Sequence, residues 1–240
     1  MKTSLKNSTV IAITGIDTDT GKTIATGLLA RYLVKKGIQT ITQKMVQTGC
    51  KTVSEDVQIH RKLMGMEWTN HDQDGSTCPY LFQYPASPHL AADMEKESID
   101  CNRILTATET LKTTYDCILL EGAGGLQVPL NKSCTVLDYI QDQHYPVILV
   151  SSSKLGSINH TLLSLEALKA RDLDLIGLIY NTFPGDDALI AADCIHQMDI
   201  YMKRFGFEPN IKKMDAVNLE NPPDMDFHSF FDPSFWGRYP

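Results

Sequence analysis

The sequence predicts an α/β protein with a mostly parallel β-sheet covered by helices on both faces. Three observations predict it. Short apolar runs rich in β-branched residues recur along the chain. Stretches of helical period separate them, which is the pattern of βαβ units. Residues able to do chemistry stand where the apolar runs end: Gly15, Lys44, Glu121, Ser151 and Asn181. Ligands of open parallel sheets collect at that end of the strands.

Residues 9–14 (TVIAIT) form the first expected strand. Residues 15–23 turn, and residues 22–36 read as a helix. Ile24, Leu28 and Tyr32 lie on one stripe of it, with Ala25, Leu29 and Leu33 beside them. Gly37 is its expected stop, and Lys35 and Lys36 suit the negative end of the helix dipole. Residues 38–44 are the second expected strand. Residues 54–64 read as a helix with Ser54 as N-cap and Glu55 and Asp56 in its first turn.

Residues 67–88 are polar, contain proline and read as a long irregular excursion, where functional loops are common. Ser87 or Ser98 is expected to cap the helices that follow. Residues 117–120 (CILL) form a strand ending in Glu121, before the small residues GAGG. Residues 147–150 are another buried strand. Residues 157–170 are a helix with Ile158, Leu162 and Leu165 on one face. A strand over 175–180 ends at Asn181, and a helix follows from about 186 to 204. Residues 207–240, rich in proline and aromatics, carry no assignable period. We expect one domain spanning residues 1–240.

Composition bounds the function. Apolar residues are 42% and charged residues 21%, enough to bury a core and too few charges for a disordered chain. The formal net charge of -7, with no basic stripe, excludes nucleic acid as the expected partner. The first apolar run, residues 10–13, is too short for a secretion signal or a membrane span, so a cytoplasmic location is expected. Six cysteines show no C-x-x-C spacing and read as reduced thiols.

The strongest local signal is Gly15-Ile-Asp-Thr-Asp-Thr-Gly-Lys-Thr23, between a strand and an amphipathic helix. That context makes it a phosphate-binding P-loop, although five residues separate its glycines where the common pattern has four. Backbone N–H groups of Asp17, Thr18, Asp19, Thr20 and Gly21 are expected to cradle nucleotide phosphates. Lys22 is expected to neutralise the β- and γ-phosphates, and the Thr23 hydroxyl to ligate Mg²⁺. The fold expectation narrows to a P-loop NTPase.

Asp56 and Glu121 stand where further Mg²⁺ ligands would be useful. Each also has a plain reading, Asp56 as a helix-dipole partner and Glu121 as a solvated strand end. Lys44 follows the second strand and could reach phosphates or an anionic substrate; taken alone, it also reads as a surface lysine. Ser87-Pro88-His89 could position a substrate, with His89 reading rather as a hydrogen-bonded structural residue. No Ser–His–Asp or Cys–His arrangement can be argued from spacing.

These pieces occur together, in order, in one family. GIDTDTGKT resembles its five-spacer P-loop, and QKMVQTG its lysine-bearing segment after the second strand. PYLFQYPASPHLAA resembles its substrate-side loop, LLEGAGGLQVPL its metal-site strand and PVILVSSSKLGSINHT its fifth-strand segment. The chain thereby resembles the dethiobiotin synthetase family over roughly residues 10–182.

The resemblance implies an ATP- and Mg²⁺-dependent homodimer acting on 7,8-diaminopelargonic acid and CO₂. A carbamate and then a carbamic-phosphoric anhydride lead to a cyclic urea. It implies Mg²⁺ held by Thr23, Asp56 and Glu121, and Lys22 and Lys44 as catalytic cations. It implies Thr48 at the diamine or carbamate, and Gly124 and Asn159 at the substrate's tail across the dimer interface. Asn181 would read the base, and Lys154 stands where the family also has a lysine. The chain departs from the family at Asp19, for a glutamate, at Met45, for a proline, and beyond Arg204, where a Gly-Glu-Ile-Pro-like stretch is missing. The competing readings are a related amidating P-loop ligase and a regulatory or partition ATPase of the same loop class.

Overall fold

The computed structural model describes residues 8–183, 185 and 187–239. It opens with β1 (Thr9–Gly15), α1 (Lys22–Lys35), β2 (Thr40–Lys44), β3 (Gln47–Thr48), α2 (Glu55–Met64), α3 (Asn70–Gln73) and β4 (Leu81–Phe82). There follow α4 (Pro88–Met94), α5 (Cys101–Lys112), β5 (Cys117–Gly125), α6 (Val136–Asp142) and β6 (Val147–Ser152). The chain ends with α7 (Ser157–Ala170), β7 (Leu175–Asn181), α8 (Ala188–Phe205), β8 (Ile211–Met214) and α9 (Pro233–Arg238).

Six strands make one sheet in the order β2-β5-β1-β6-β7-β8. Every adjacent pair in it is parallel. β1 and β2 follow one another in the chain but are not neighbours, because β5 lies between them. β3 and β4 form a separate short parallel pair.

Side-chain alternation splits the core in two. Val10, Ala12, Ile118, Leu120, Leu149 and Leu178 face a cluster filled by α5, α6, α7 and α8. Ile11, Ile13, Leu119, Ile148, Val150 and Ile179 face the opposite way, toward α1, α2 and the C-terminal aromatics. All of β1 and β2 is buried, as strands covered on both faces must be.

Some boundaries differ from expectation. β2 begins at Thr40 rather than 38, because Ile38 still closes α1: its N–H donates to Leu33 O at 3.1 Å, past Gly37 at φ 82°. β5 continues to Gly125, so Glu121 lies inside the strand rather than ending it. Ser98 caps nothing; Asp100 caps α5 by accepting from Asn102 N. Ser87 occupies the N-cap position of α4 without a side-chain cap bond, and Pro88 pre-sets the first helical residue. α8 is capped by Asp187, and its expected start at 186 lies outside the described residues. The polar excursion of residues 67–88 contains α3 and β4, and α6 also went unpredicted.

The C-terminal segment is built into the fold. β8 adds an edge strand to β7. Phe227, Phe230, Phe231 and Phe235 are buried, and Tyr32 of α1 packs against two of them. Asp224 pairs with Arg31 and Lys35, and Glu220 with Lys62.

Candidate active site

β1 ends at Gly15, where a side chain has no room. A Cβ would lie 2.5 Å from Thr20 Oγ1 and 2.9 Å from the Asp17 carbonyl. Gly21 enters α1 at φ 93°, where a Cβ would also stand 2.5 Å from Asn181 Nδ2. Between them Asp19 sits at φ 55°, a region that short polar side chains tolerate. Asp17 Oδ1 accepts from Thr18 N at 2.7 Å. Lys22 Nζ donates to the Asp17 carbonyl at 2.7 Å.

Asn181, at the end of β7, ties this loop to the sheet. Its Nδ2 donates to Thr20 O at 3.0 Å, and its Oδ1 accepts from Phe183 N at 3.0 Å. α1 has no side-chain cap and no acidic residue in its first turn. The positive end of its dipole is therefore left for an anion.

Sheet register assembles the charged groups. Lys44 pairs with Glu121 across β2 and β5, and Glu121 with Ile13 of β1. Lys44 Nζ lies 2.6 Å from Asp56 Oδ2 and 2.7 Å from Glu121 Oε1. Thr23 Oγ1 donates to the same Oε1 at 3.2 Å. His60 Nε2 meets the other oxygen, Oε2, at 2.8 Å. Lys44 is only 5% exposed, so the surface-lysine reading fails, and Glu121 at 0% is no solvated strand end.

Burial and charge set the protonation states. Burial opposes the charge on Lys44, but Glu121 and Asp56 outweigh it and hold its pKa above the ordinary lysine value. Burial likewise opposes ionisation of Glu121, and Lys44 and His60 reverse that, keeping the carboxyl well below the usual range. Among the described residues Lys22 has no carboxylate paired with it. Burial, and then repulsion from Lys44, bring its pKa down to about 8.

The donor set fits Mg²⁺. Among the described residues no three His, Cys, Asp or Glu side chains are arranged to hold a metal by themselves. Thr23, Asp56 and Glu121 instead offer a hydroxyl and two carboxylates around one ammonium group. An all-oxygen set of this size suits a small hard cation that takes its other ligands from phosphate and water.

A cavity of about 980 Å³ opens over this cluster. Lys22, Lys44, Asp56 and Glu121 lie on it; Thr48 and Gly124 line it too, as do Asn181 and Phe183.

The family model described as "AAA domain" matches residues 9–218. The ATP-dependent dethiobiotin synthetase BioD 2 of Pasteurella multocida is 49% identical over 88% of this chain and 99% of its own length. The ATP-dependent dethiobiotin synthetase BioD of Chlorobaculum tepidum is 50% identical over 92% of this chain and 93% of its own. The chain belongs to the dethiobiotin synthetase family. Solved structures show the same P-loop fold at low identity. A ParA family ATPase from Chlorobium tepidum superposes with a TM-score of 0.52 at 14% identity, over 88% of this chain and 85% of its own. The cell division protein FtsY of Thermotoga maritima superposes with a TM-score of 0.50 at 16% identity, over 96% of this chain and 70% of its own.

Of the residues expected from the dethiobiotin synthetase resemblance, most meet at this cavity. Thr18, Asp19, Gly21, Lys22 and Thr23 line it from the loop. Asp17 and Thr20 shape the loop through their carbonyls, which bind Lys22 and Asn181. Lys44, Thr48, Asp56, Glu121, Gly124, Lys154 and Asn181 line it from the other elements. Asn159 does not; it is exposed on α7, away from this chain's own cavity. Ser87 and Pro88 line the cavity, whereas His89 belongs to a separate depression beside Asp93 and Asn131.

Sequence reasoning missed two parts of the site. One is His60, four residues after Asp56 and thus on the same face of α2; the spacing could have revealed it. The other is the end of β8 and the segment after it, where Met214, then Asp215, Ala216, Val217 and Leu219, line the cavity. Nothing in its sequence marked it, because its place depends on β8 pairing with β7.

Proposed function

We propose that this chain is an ATP-dependent dethiobiotin synthetase. It joins CO₂ to 7,8-diaminopelargonic acid and closes the cyclic urea, forming ADP and phosphate in biotin biosynthesis. The observation that carries the reading is the second buried lysine. Lys44 lies between Asp56 and Glu121 and lines the cavity together with Lys22. A water-activating ATPase has no need of a second cation to hold an anionic acceptor; a carbamate-using ligase does.

One amine adds to CO₂ and loses a proton, giving a carbamate. Lys44 holds the carbamate, and Thr48 contacts the amine or carbamate end. Lys22 and the loop N–H groups hold the phosphates, so two anions that repel in water are brought into line. A carbamate oxygen bonds to the γ-phosphorus as the bond to ADP breaks. The second amine attacks the carbonyl carbon of the mixed anhydride, the bond to phosphate breaks, the amine's proton leaves with it as hydrogen phosphate, and the ring closes. Thr23, Asp56 and Glu121 would hold Mg²⁺, which would supply charge neutralisation for the phosphoryl transfer. Asn181 contacts the base.

The active unit in this reading is a homodimer. Asn159 and Leu163 stand one turn apart on α7, and Leu163 and the preceding Leu155 are exposed. A partner surface there would place Asn159, with Gly124, at the substrate's tail. No helix among the described residues is long and apolar enough to cross a membrane. In this reading the enzyme is cytoplasmic.

The deciding experiment follows ADP release while substrates are omitted singly. Without the diamine, or with CO₂ and bicarbonate stripped, ADP formation is expected to fall to a slow background. With both present, mass spectrometry is expected to find one cyclic urea per ADP. Rapid hydrolysis without an acceptor and without a urea product would replace this reading with a regulatory ATPase.

A further inference from the structure

Glu121 is held at both oxygens, and the two holds differ in kind. Oε1 is shared by Lys44 at 2.7 Å and the Thr23 hydroxyl at 3.2 Å, both groups that line the cavity. Oε2 is taken by His60 Nε2 at 2.8 Å, on a ring that is 0% exposed and does not line the cavity. A carboxylate only accepts, so Nε2 carries the donated proton. Nδ1 of the same ring is buried without a hydrogen-bond partner. The ring's single polar contact is thus Glu121. A leucine would fill comparable space without stranding a polar nitrogen, so core packing does not account for a histidine here.

We propose that His60 is a positioning residue that fixes the rotation of the Glu121 carboxylate and so presents Oε1 to the metal site. This role rests on Mg²⁺ being held by Thr23, Asp56 and Glu121, as proposed. A glutamate bonded to Lys44 alone could rotate and offer both oxygens to that ammonium, closing itself off from a cation. The His60 bond holds Oε2 away from Lys44. α2 supplies both halves of the arrangement, since Asp56 and His60 are four residues apart on one helix face. One helix therefore carries a candidate ligand and the clamp of another, and any shift of α2 moves them together. Partners that orient metal ligands typically contribute about 10- to 100-fold in metal affinity.

The test is calorimetry of ADP binding across a Mg²⁺ titration, on wild type, His60→Leu and His60→Gln, each checked for a native melting transition. His60→Leu fills the space and removes the donor. It is expected to raise the Mg²⁺ concentration that half-maximally tightens ADP by about 10- to 100-fold. Its ADP affinity in excess chelator is expected to match wild type, because the phosphate loop is untouched. His60→Gln retains an N–H₂ donor and is expected to recover much of the loss. Unchanged Mg²⁺ dependence in His60→Leu would overturn the proposal. So would equal defects in the Leu and Gln variants, which mark a packing role. A wild-type protein whose ADP affinity ignores Mg²⁺ would instead overturn the metal reading, and this inference with it.

Discussion

At the scale of single residues, the two lysines of the site are held by opposite physics, and their removal has opposite consequences for stability. Lys22 is charged against its surroundings, with burial and Lys44 lowering its pKa to about 8. Lys22→Ala is expected to leave the melting temperature unchanged or raised. Turnover is expected to drop at least ~10²-fold, a typical cost for losing one electrostatic stabiliser. Lys44 neutralises two carboxylates, one of them fully buried. Lys44→Ala strands that charge, at a cost of about 3–5 kcal/mol, and is expected to lower both turnover and melting temperature. Thermal melts beside steady-state rates check the pair; equal destabilisation by both would refute this account. Lys22 and Thr23 were legible in the sequence because nine consecutive residues carry the whole pattern. The Lys44–Glu121 contact spans 77 positions. It was legible only as two strand ends, and its bridging geometry came from register.

At the scale of elements, α2 illustrates how a site is braced from outside. Arg61 donates to Asp72 through Nε at 3.0 Å and Nη2 at 2.8 Å, and to Thr42 Oγ1 of β2 at 2.8 Å. The pair fixes α2, and with it Asp56 and His60, against the sheet. Burial alone would raise the Asp72 pKa, but Arg61, Thr77 and Thr69 together lower it. The unfolded carboxyl titrates near ~4. The stabilisation is therefore complete above about pH 4 and disappears as pH falls through the lower native value. Asp72→Asn is expected to cost about 3 kcal/mol at pH 7, and urea unfolding is expected to show that difference shrinking in acid. A constant difference from pH 7 to pH 3 would separate the effect from Asp72 ionisation. α1 and the strands β1, β2, β6 and β7 were legible from apolar period within one to two residues. β8 was not, since its sequence, IKKM, carries two adjacent lysines, one half-buried and one exposed, and no alternation. α9 was not either: six residues hold no period, and its place comes from Phe231, Phe235 and Trp236 packing together.

At the scale of the whole molecule, we propose one cooperative unit and a shared active site. Trp236 lies in the C-terminal aromatic cluster that joins the core beneath α1. In a Trp68→Phe variant, which leaves Trp236 as the single tryptophan, its fluorescence and the far-ultraviolet helix signal are therefore expected to melt together; a separate early loss of fluorescence would mark residues 207–240 as an independent piece. For the dimer, light scattering is expected to give twice the chain mass. Mixed Lys22→Ala and Asn159→Ala subunits are expected to recover activity, because one of the two sites in a heterodimer then escapes both lesions. Verified heterodimers with no recovery would confine Asn159 to its own chain.

The placement of β5 between β1 and β2 also bears on how the protein is made. β1 and β2 are complete by residue 44, yet the strand that belongs between them begins at residue 117. A ribosome adding about 5–20 residues per second needs roughly 4–15 s to cross that interval. Throughout it, two apolar strands have emerged with no partner, and the slot between them must stay open. Lys44 can meet Glu121 only after that slot fills, so the charged cluster forms together with the β2-β5-β1 part of the sheet, before β6 is added beside β1. Until then its exposed strand edges are substrates for chaperones.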